Sequence, residues 1–466
     1  MTRIVIVGGG ISGLTLAYRL EQRLPTAEVV VLEQQPRLGG TVNTLHRDGF
    51  CVEAGPNGFL DTNPATLDLC RELGLGDRLT AASEAAGRNR FLLVKGRLRL
   101  LPGSMWSFLG SGVLSWRGKF NLLAERFRPP RRDDADESID AFVRRRAGSE
   151  VAETLADAFV TGIYAGDPTL LSVRAAFPRL VRMEREHGSV RNGFVAAARK
   201  RRSEAAAQGQ PPGRAGRMWS FREGLSLLIE TLCGRLRTPP VMGVAVQSVR
   251  RSQESGWQVR AEGRDAWKAD AVALTCPAYQ QAALLADEDA ELAAKIDGIT
   301  YNRVAVVALG YRLSDMPMSL EGFGYLSPQR ERRDVLGVQW CSSIFPDRSP
   351  ADAVLLRAMC GGWNRPEIVD WDDDRLLTAV RGELRQSMGV EAAPVFHQIV
   401  RWDRAIPQYH LGHLERVAWI EERAARHAGL FLGGNAYRGV ALNDCVEQAG
   451  RLAVQASELT KGKLEK

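Results

Sequence analysis

Between Arg3 and Glu33 the chain spells out one complete βαβ unit. Residues Arg3 to Val7 form a short apolar β run, Ile11 to Leu24 carry apolar residues at helical spacing (Ile11, Leu14, Ala17, Leu20, Leu24), and Glu28 to Leu32 form a second β run. The turn joining strand and helix reads Gly8-Gly9-Gly10-Ile11-Ser12-Gly13. In a chain with 46 glycines among 466 residues, three glycines at this fixed spacing arise by chance about half a time. Context gives the match its weight: it lies between a strand and a helix, and Glu33 follows about 20 residues later at the end of the next strand. Gly8 permits the tight turn, Gly10 lets backbone approach a pyrophosphate, and Gly13 brings helix and strand together, while the helix N-terminus offers free N–H groups to phosphate. Glu33, followed by Gln34, is placed to accept hydrogen bonds from an adenosine ribose. Its carboxylate would repel a 2′-phosphate, which disfavours NADP.

Just after this acid comes Arg37-Leu38-Gly39-Gly40. The Arg-x-Gly-Gly extension resembles that of the flavin amine oxidases and related enzymes, where it wraps the pyrophosphate, arginine (here Arg37) supplying charge and glycine (here Gly40) close approach. Near the other end, Gly433-Gly434-Asn435, Gly439-Val440-Ala441 and Leu442-Asn443-Asp444 resemble the second flavin segment of that family, in which a helix N-terminus faces the flavin. The resemblance implies FAD, not NAD, as cofactor.

The length calls for two or three domains. Seven widely spaced cysteines without a Cys-x-x-Cys pair argue against a disulfide framework or a zinc site and fit a reducing compartment. The amino terminus runs straight into the first strand, so no secretory signal is expected, and no apolar run reaches the roughly 18 to 20 residues of a spanning helix. The net charge of +7 gathers in Arg128–Arg132, Arg144–Arg146 and Arg199–Arg202. These clusters read as solvated surface, with anionic lipid or an acidic small molecule as alternatives. Without interleaved stacking aromatics or a nucleic-acid motif, no nucleic-acid partner is expected.

Residues 103–200 read as helices, and 203–217 as a flexible connector. Val244–Val249, Gln258–Ala261 and Ala271–Thr275 read as a three-stranded meander, and Val304–Met359 as β-rich. The chain closes with a strand Gly429–Leu432 and a helix Leu442–Leu459. The expected fold is α/β, α+β overall. A Rossmann-like FAD-binding domain is assembled from 1–60, 221–293 and 430–466. A β-rich substrate domain takes 61–102, 203–220 and 294–429, and 103–202 form a helical, membrane-associating domain.

Several stretches go beyond the generic flavin pattern: Gly55-Pro56-Asn57-Gly58-Phe59, Asn89-Arg90-Phe91, Gly162-Ile163-Tyr164-Ala165-Gly166-Asp167, Ile406-Pro407-Gln408-Tyr409-x-x-Gly412-His413 and Gly434-Asn435-x-Tyr437-x-Gly439-Val440. Together, and in this order along nearly the whole chain, they resemble the oxygen-dependent protoporphyrinogen oxidases of haem biosynthesis. The resemblance implies FAD contacts at Gly8 to Gly13, Glu33, Arg37, Gly55 to Gly58, Val246, Trp402 and Val440 to Leu442. It puts Asn57 beside the reacting face as the catalytic candidate and pairs Arg90 with a substrate propionate. Phe323, Gly324, Leu326 and Met359 become the macrocycle wall, with Tyr325 at a variable wall position. Read without it, Arg90 is a surface charge, Phe323, Leu326 and Met359 are core, and His410-x-x-His413 is structural, with no metal expected.

The implied chemistry is hydride transfer from a bridging methylene carbon to flavin N5, three times over, with O₂ as acceptor and H₂O₂ as product. The electron-rich carbon needs no strong base, in keeping with the lack of an obvious catalytic His or carboxylate pair. The alternatives are a coproporphyrinogen III to coproporphyrin III oxidase and, further off, a flavin amine oxidase, a carotenoid desaturase or a non-catalytic binding protein of the same fold. Met105–Phe127 mixes Trp, Phe and Leu with basic residues and reads equally as a membrane-surface segment, an entrance lining or a core helix. A cytoplasmic protein in peripheral contact with the membrane is expected; monomer and homodimer both stay open.

Overall fold

The computed structural model of the chain describes residues 2–102, 105–207, 216–252 and 256–464. Its nucleotide-side core is a four-stranded parallel sheet in the order Leu430–Leu432, Ala271–Leu274, Arg3–Val7, Glu28–Leu32. The central strands are apolar at successive positions because both faces are covered. On one side pack the helices Ile11–Arg23 and Leu442–Leu464. On the other lie an antiparallel three-stranded sheet and the helices Ala278–Leu285, Ala290–Asp297 and His413–Ala425.

Two expectations change here. The meander is Val246–Ser252, Gly256–Ala261 and Trp267–Ala269; the run beginning at Ala271 pairs with Arg3–Val7 instead. Ala271–Leu274 is buried at all four positions, whereas Gly256–Ala261 alternates buried with more exposed residues, so the former suits a doubly covered sheet and the latter a one-sided one. Helix His413–Ala425, expected with the β-rich part, sends Val417, Ile420 and Ala424 into the nucleotide-side core.

A second, seven-stranded sheet runs Phe396–Trp402, Val304–Arg312, Ala353–Gly361, Val335–Trp340, Gly324–Leu326, Phe91–Val94, Arg97–Leu100. One face is sealed by helix Asp373–Met388, which starts where the Asp372 side chain accepts from Arg375 N and buries Leu376, Val380 and Leu384. The other face is left for the site.

Between Trp116 and Ala207 the described residues are chiefly helical. Part of the arginine charge lies inside this helical region, not on its surface. Arg146 is buried and pairs with Glu125 and Glu184, and Arg145 lies 2.7 Å from both Glu137 and Glu184. Opposite charges brought in from other helices make that burial tolerable. Helix Val190–Ala207 continues into the expected connector, of which residues 208–215 lie outside the described residues. No described helix is long and apolar enough to cross a membrane.

Candidate active site

The glycine turn opens onto a cavity of about 670 Å³ lined by Gly8, Gly10, Ile11, Ser12, Glu33, Gln34, Arg37, Gly40, Val246, Trp402, Gly434 and Asn435, among others. Glu33 is 8% exposed, and its carboxylate accepts from Gly9 N at 2.7 Å and Gln35 N at 2.8 Å. Gly13 does not line the cavity. A Cβ there would stand 2.0 Å from the Gly8 carbonyl oxygen, so its role is the close approach of helix and strand. Gly9 is likewise behind the surface, against Leu38 and Glu33. A Cβ on Gly10, by contrast, would meet nothing within 4 Å, which leaves open floor beside the free N–H groups at the start of the helix. Arg37 donates to the Gly40 carbonyl at 2.9 Å, closing the far rim. Free backbone donors, a buried ribose-level carboxylate and an unfilled floor fit the ADP half of FAD.

From this cavity the chain leads to the loop Gly55–Gly58, which the seven-stranded sheet grips through two neighbouring carbonyls. Trp402 Nε1 donates to Ala54 O at 2.9 Å and Arg357 Nη2 to Gly55 O at 2.5 Å. Asn57 is 5% exposed, and its Nδ2 has no partner among the described residues. A buried amide donor left unpaired is costly unless a guest takes it. Gly58 lies tight against Trp219 O. Beyond Asn435, whose carbonyl accepts from Tyr409 Oη at 2.5 Å, the segment Gly439, Val440, Ala441 and Leu442 forms the turn into the C-terminal helix. Asp444 Oδ2 accepts from Ala441 N at 3.1 Å, and burial pushes this carboxyl up. Neither Gly55–Gly58 nor Gly439–Leu442 lines the 670 Å³ cavity.

The open face of the large sheet collects the wall residues by register. Met359 stands opposite Gly337, which stands opposite Leu326; one step along, Arg357 stands opposite Gln339, which stands opposite Gly324. Side chains alternate along a strand, so these residues share a face, and Leu356, Ala358 and Cys360 point into the core under helix Asp373–Met388. Gly324 has φ +118°, and a Cβ there would stand 2.0 Å from Val338 O, which explains the glycine. Phe323 precedes the strand, and the Arg90 guanidinium lies 5.2 Å from its ring centre. No carboxylate pairs with Arg90 among the described residues; the side chain is exposed at the edge of the wall, and partial desolvation against it lowers its pKa from the usual guanidinium range. Helix Asp157–Tyr164 closes over this face, with Gly162 against Leu326.

Tyr325 corrects an expectation. It points away from the wall into the opposite core, its hydroxyl donating to Glu383 at 3.1 Å and lying 2.9 Å from Ser387 Oγ. The alternation of a strand centred on Gly324 and Leu326 requires this. His413 is held structurally, its ring stacked on Tyr409 and its Nε2 3.0 Å from the Tyr437 carbonyl. Sequence reasoning missed Arg357 and Gln339. The signal was available for Arg357: stepping back two residues from Met359 reaches the same face.

This pairing of a glycine-turn nucleotide cavity with a β-sheet wall has relatives. The profile of the family described as flavin containing amine oxidoreductase matches residues 11–457, and the chain belongs to that family, whose cofactor is FAD. Within it, two kinds of named relative are similar over nearly the whole chain. The chloroplastic protoporphyrinogen oxidase of Nicotiana tabacum is 34% identical, over 98% of this chain and 85% of its own. The coproporphyrinogen III oxidase of Bacillus subtilis is 29% identical, over 97% of both chains. Among solved structures, a protein from Exiguobacterium sp. 255-15 superposes with a TM-score of 0.82 at 28% identity, covering 98% of this chain and 99% of its own.

Proposed function

We propose that this chain oxidises protoporphyrinogen IX to protoporphyrin IX in haem biosynthesis, using FAD and passing the electrons to O₂ with release of H₂O₂. The observation that carries the reading is Arg90, an exposed guanidinium without a carboxylate partner among the described residues, lying against the Phe323 ring at the edge of a wall that continues through Leu326 to Met359. An uncharged macrocycle with carboxylate tails suits an apolar wall with a cation at its rim. One charge-assisted hydrogen bond from Arg90 to a propionate contributes about 1.5–3 kcal/mol and fixes which edge enters first. Bound FAD supplies the hydride-accepting centre. The chain's own contribution is to orient the macrocycle against the wall, to exclude water with helix Asp157–Tyr164, and to present the free Nδ2 donor of Asn57 beside the reacting face.

Coproporphyrinogen III is the second reading, favoured by relatives with that name from Bacillus subtilis and Propionibacterium freudenreichii, the latter 33% identical. The helical region bears Trp116, Phe120 and Phe127 at 72%, 72% and 74% exposure. This exposure sets aside the core-helix reading for that part of the segment and supports peripheral attachment to a membrane surface.

The test starts with the purified protein. Flavin released on denaturation is expected; a colourless preparation defeats the enzyme reading. Protoporphyrinogen IX and coproporphyrinogen III are then supplied separately in air, following porphyrin fluorescence and H₂O₂. Faster turnover of the first supports the assignment, faster turnover of the second moves it to the alternative, and neither above autoxidation rejects both.

A further inference from the structure

Next to the wall lies a buried cluster of charge made by Glu53, Arg348 and Arg357, with Arg357 on the wall's own face of the sheet. Glu53 is fully engaged: its carboxylate pairs with Arg348 at 3.1 Å and accepts from Leu225 N and Thr44 Oγ1, both at 2.8 Å. Arg348 also donates to Ser220 Oγ at 2.8 Å. Arg357 is different. It is 4% exposed, its Nη1 donates to Gln339 Oε1 at 2.9 Å, its Nη2 donates to the Gly55 carbonyl at 2.5 Å, and its Nε has no partner among the described residues. No carboxylate among the described residues lies within ion-pairing distance of it. One carboxylate and two guanidinium groups leave a positive charge in the interior, a costly arrangement with no packing advantage over a methionine of similar length.

Both neutral groups that Arg357 holds belong to the working parts of the site. Gly55 begins the loop that carries Asn57, and Gln339 stands opposite Gly324 on the wall. We propose that Arg357 is a positioning residue: its guanidinium fixes the Gly55–Asn57 loop against the wall, and its unneutralised charge favours electron acceptance by bound FAD. The inference rests on the proposed function above for its substrate, and on the family's cofactor for its charge effect. A planar guanidinium spans two acceptors while staying charged; a lysine keeps the charge but reaches one acceptor at a time.

Two variants separate the roles, Arg357→Met and Arg357→Lys, each measured for FAD content, two-electron midpoint potential without porphyrinogen, and steady-state kinetics. In Arg357→Met, FAD is expected to stay bound and the reduction equilibrium to become about tenfold less favourable, a potential about 30 mV more negative. Its kcat is expected to fall about tenfold or more, with KM within about twofold, the pattern of a group that acts after binding. Arg357→Lys is expected to recover the potential and not the kcat. A Met variant with unchanged potential and kcat, or one that loses thermal stability alone, overturns the proposal and reduces Arg357 to a tie between domains. If only one of the two readouts shifts in Arg357→Met, the half of the proposal whose readout is unchanged is overturned. If Arg357→Met does not fold, Arg357→Lys with wild-type kcat overturns the positioning role, and a Lys potential that differs from wild type overturns the charge role. A wild-type protein that oxidises no porphyrinogen sinks the substrate reading and leaves the potential comparison standing.

Discussion

Glu33 holds the nucleotide turn together before any ligand binds, because each of its carboxylate oxygens accepts a backbone N–H, from Gly9 and from Gln35. Glu33→Gln turns one acceptor into a donor facing an N–H. The loss is expected to cost about 1–3 kcal/mol of local stability and to lower the flavin-to-protein ratio of the purified enzyme, while circular dichroism stays that of the wild type. A variant that retains full flavin would show that the glycine turn alone suffices. Arg90 acts on binding. Arg90→Ala removes one charge-assisted bond and is expected to raise KM about ten- to hundredfold with kcat little changed; an unaltered KM would detach Arg90 from the substrate. Glu33 was legible in the sequence because its environment is local, a turn 24 residues upstream in a contiguous motif. The wall residues became visible only through family resemblance, since a strand such as Gly324–Leu326 is too short to show which face its residues take. Tyr325 was misplaced for that reason.

At the scale of elements, what the sequence resolved was continuous in the chain and what it misassigned depended on distant partners. Arg3–Leu32 folds as expected because strand, turn, helix and strand are consecutive. Ala271–Leu274 was grouped with its sequence neighbours, yet its partners are Ile4–Val7 and Leu430–Leu432, and local periodicity carries no record of them. Arg145 and Arg146 looked like surface charge because Glu125, Glu137 and Glu184 reach them from other elements. The contact between the helical region and the wall gives a testable case. A π-helical turn, Ala152–Ala156, leads into Asp157, which is buried and accepts from Gln329 N at 2.6 Å. Burial pushes this carboxyl up to about 6. Its folded pKa lies above the usual carboxyl value of about 3.9, so the neutral form is favoured on folding, and stability from this group grows as pH falls from about 6 toward 4. Asp157→Asn mimics the neutral acid and keeps an acceptor for Gln329 N. It is expected to raise the melting temperature at pH 7–8 by the equivalent of about 1–3 kcal/mol, with the gain vanishing near pH 4. A variant less stable than wild type at pH 8 would mean that the carboxylate's bond outweighs its desolvation.

The molecule as a whole is locked where the C-terminal flavin segment, the helical region and the large sheet meet, and His413 sits at that junction. Its ring stacks on Tyr409, whose hydroxyl holds the Asn435 carbonyl, and Tyr409 lies edge-on to Tyr164 of the helical region. Burial, helped by the charges of Arg416 and Arg438, lowers its pKa to about 4 despite the bond to the Tyr437 carbonyl. The usual histidine value is about 6.5. Above pH 6.5 the ring is neutral in both states and contributes no pH dependence. Between 6.5 and 4 the unfolded chain binds a proton that the folded chain excludes, so stability falls as pH falls, by about 3 kcal/mol in all. Asp157 has the opposite slope over nearly the same interval, so the two offset each other in the wild-type protein and a simple acid titration hides both. Single substitutions separate them. His413→Gln keeps a donor for the Tyr437 carbonyl and removes the titration, so melting between pH 7 and 4 should decline less steeply than in wild type, and in Asp157→Asn more steeply. Parallel curves for wild type and His413→Gln would place the acid sensitivity in other groups and show that the junction tolerates an imidazolium.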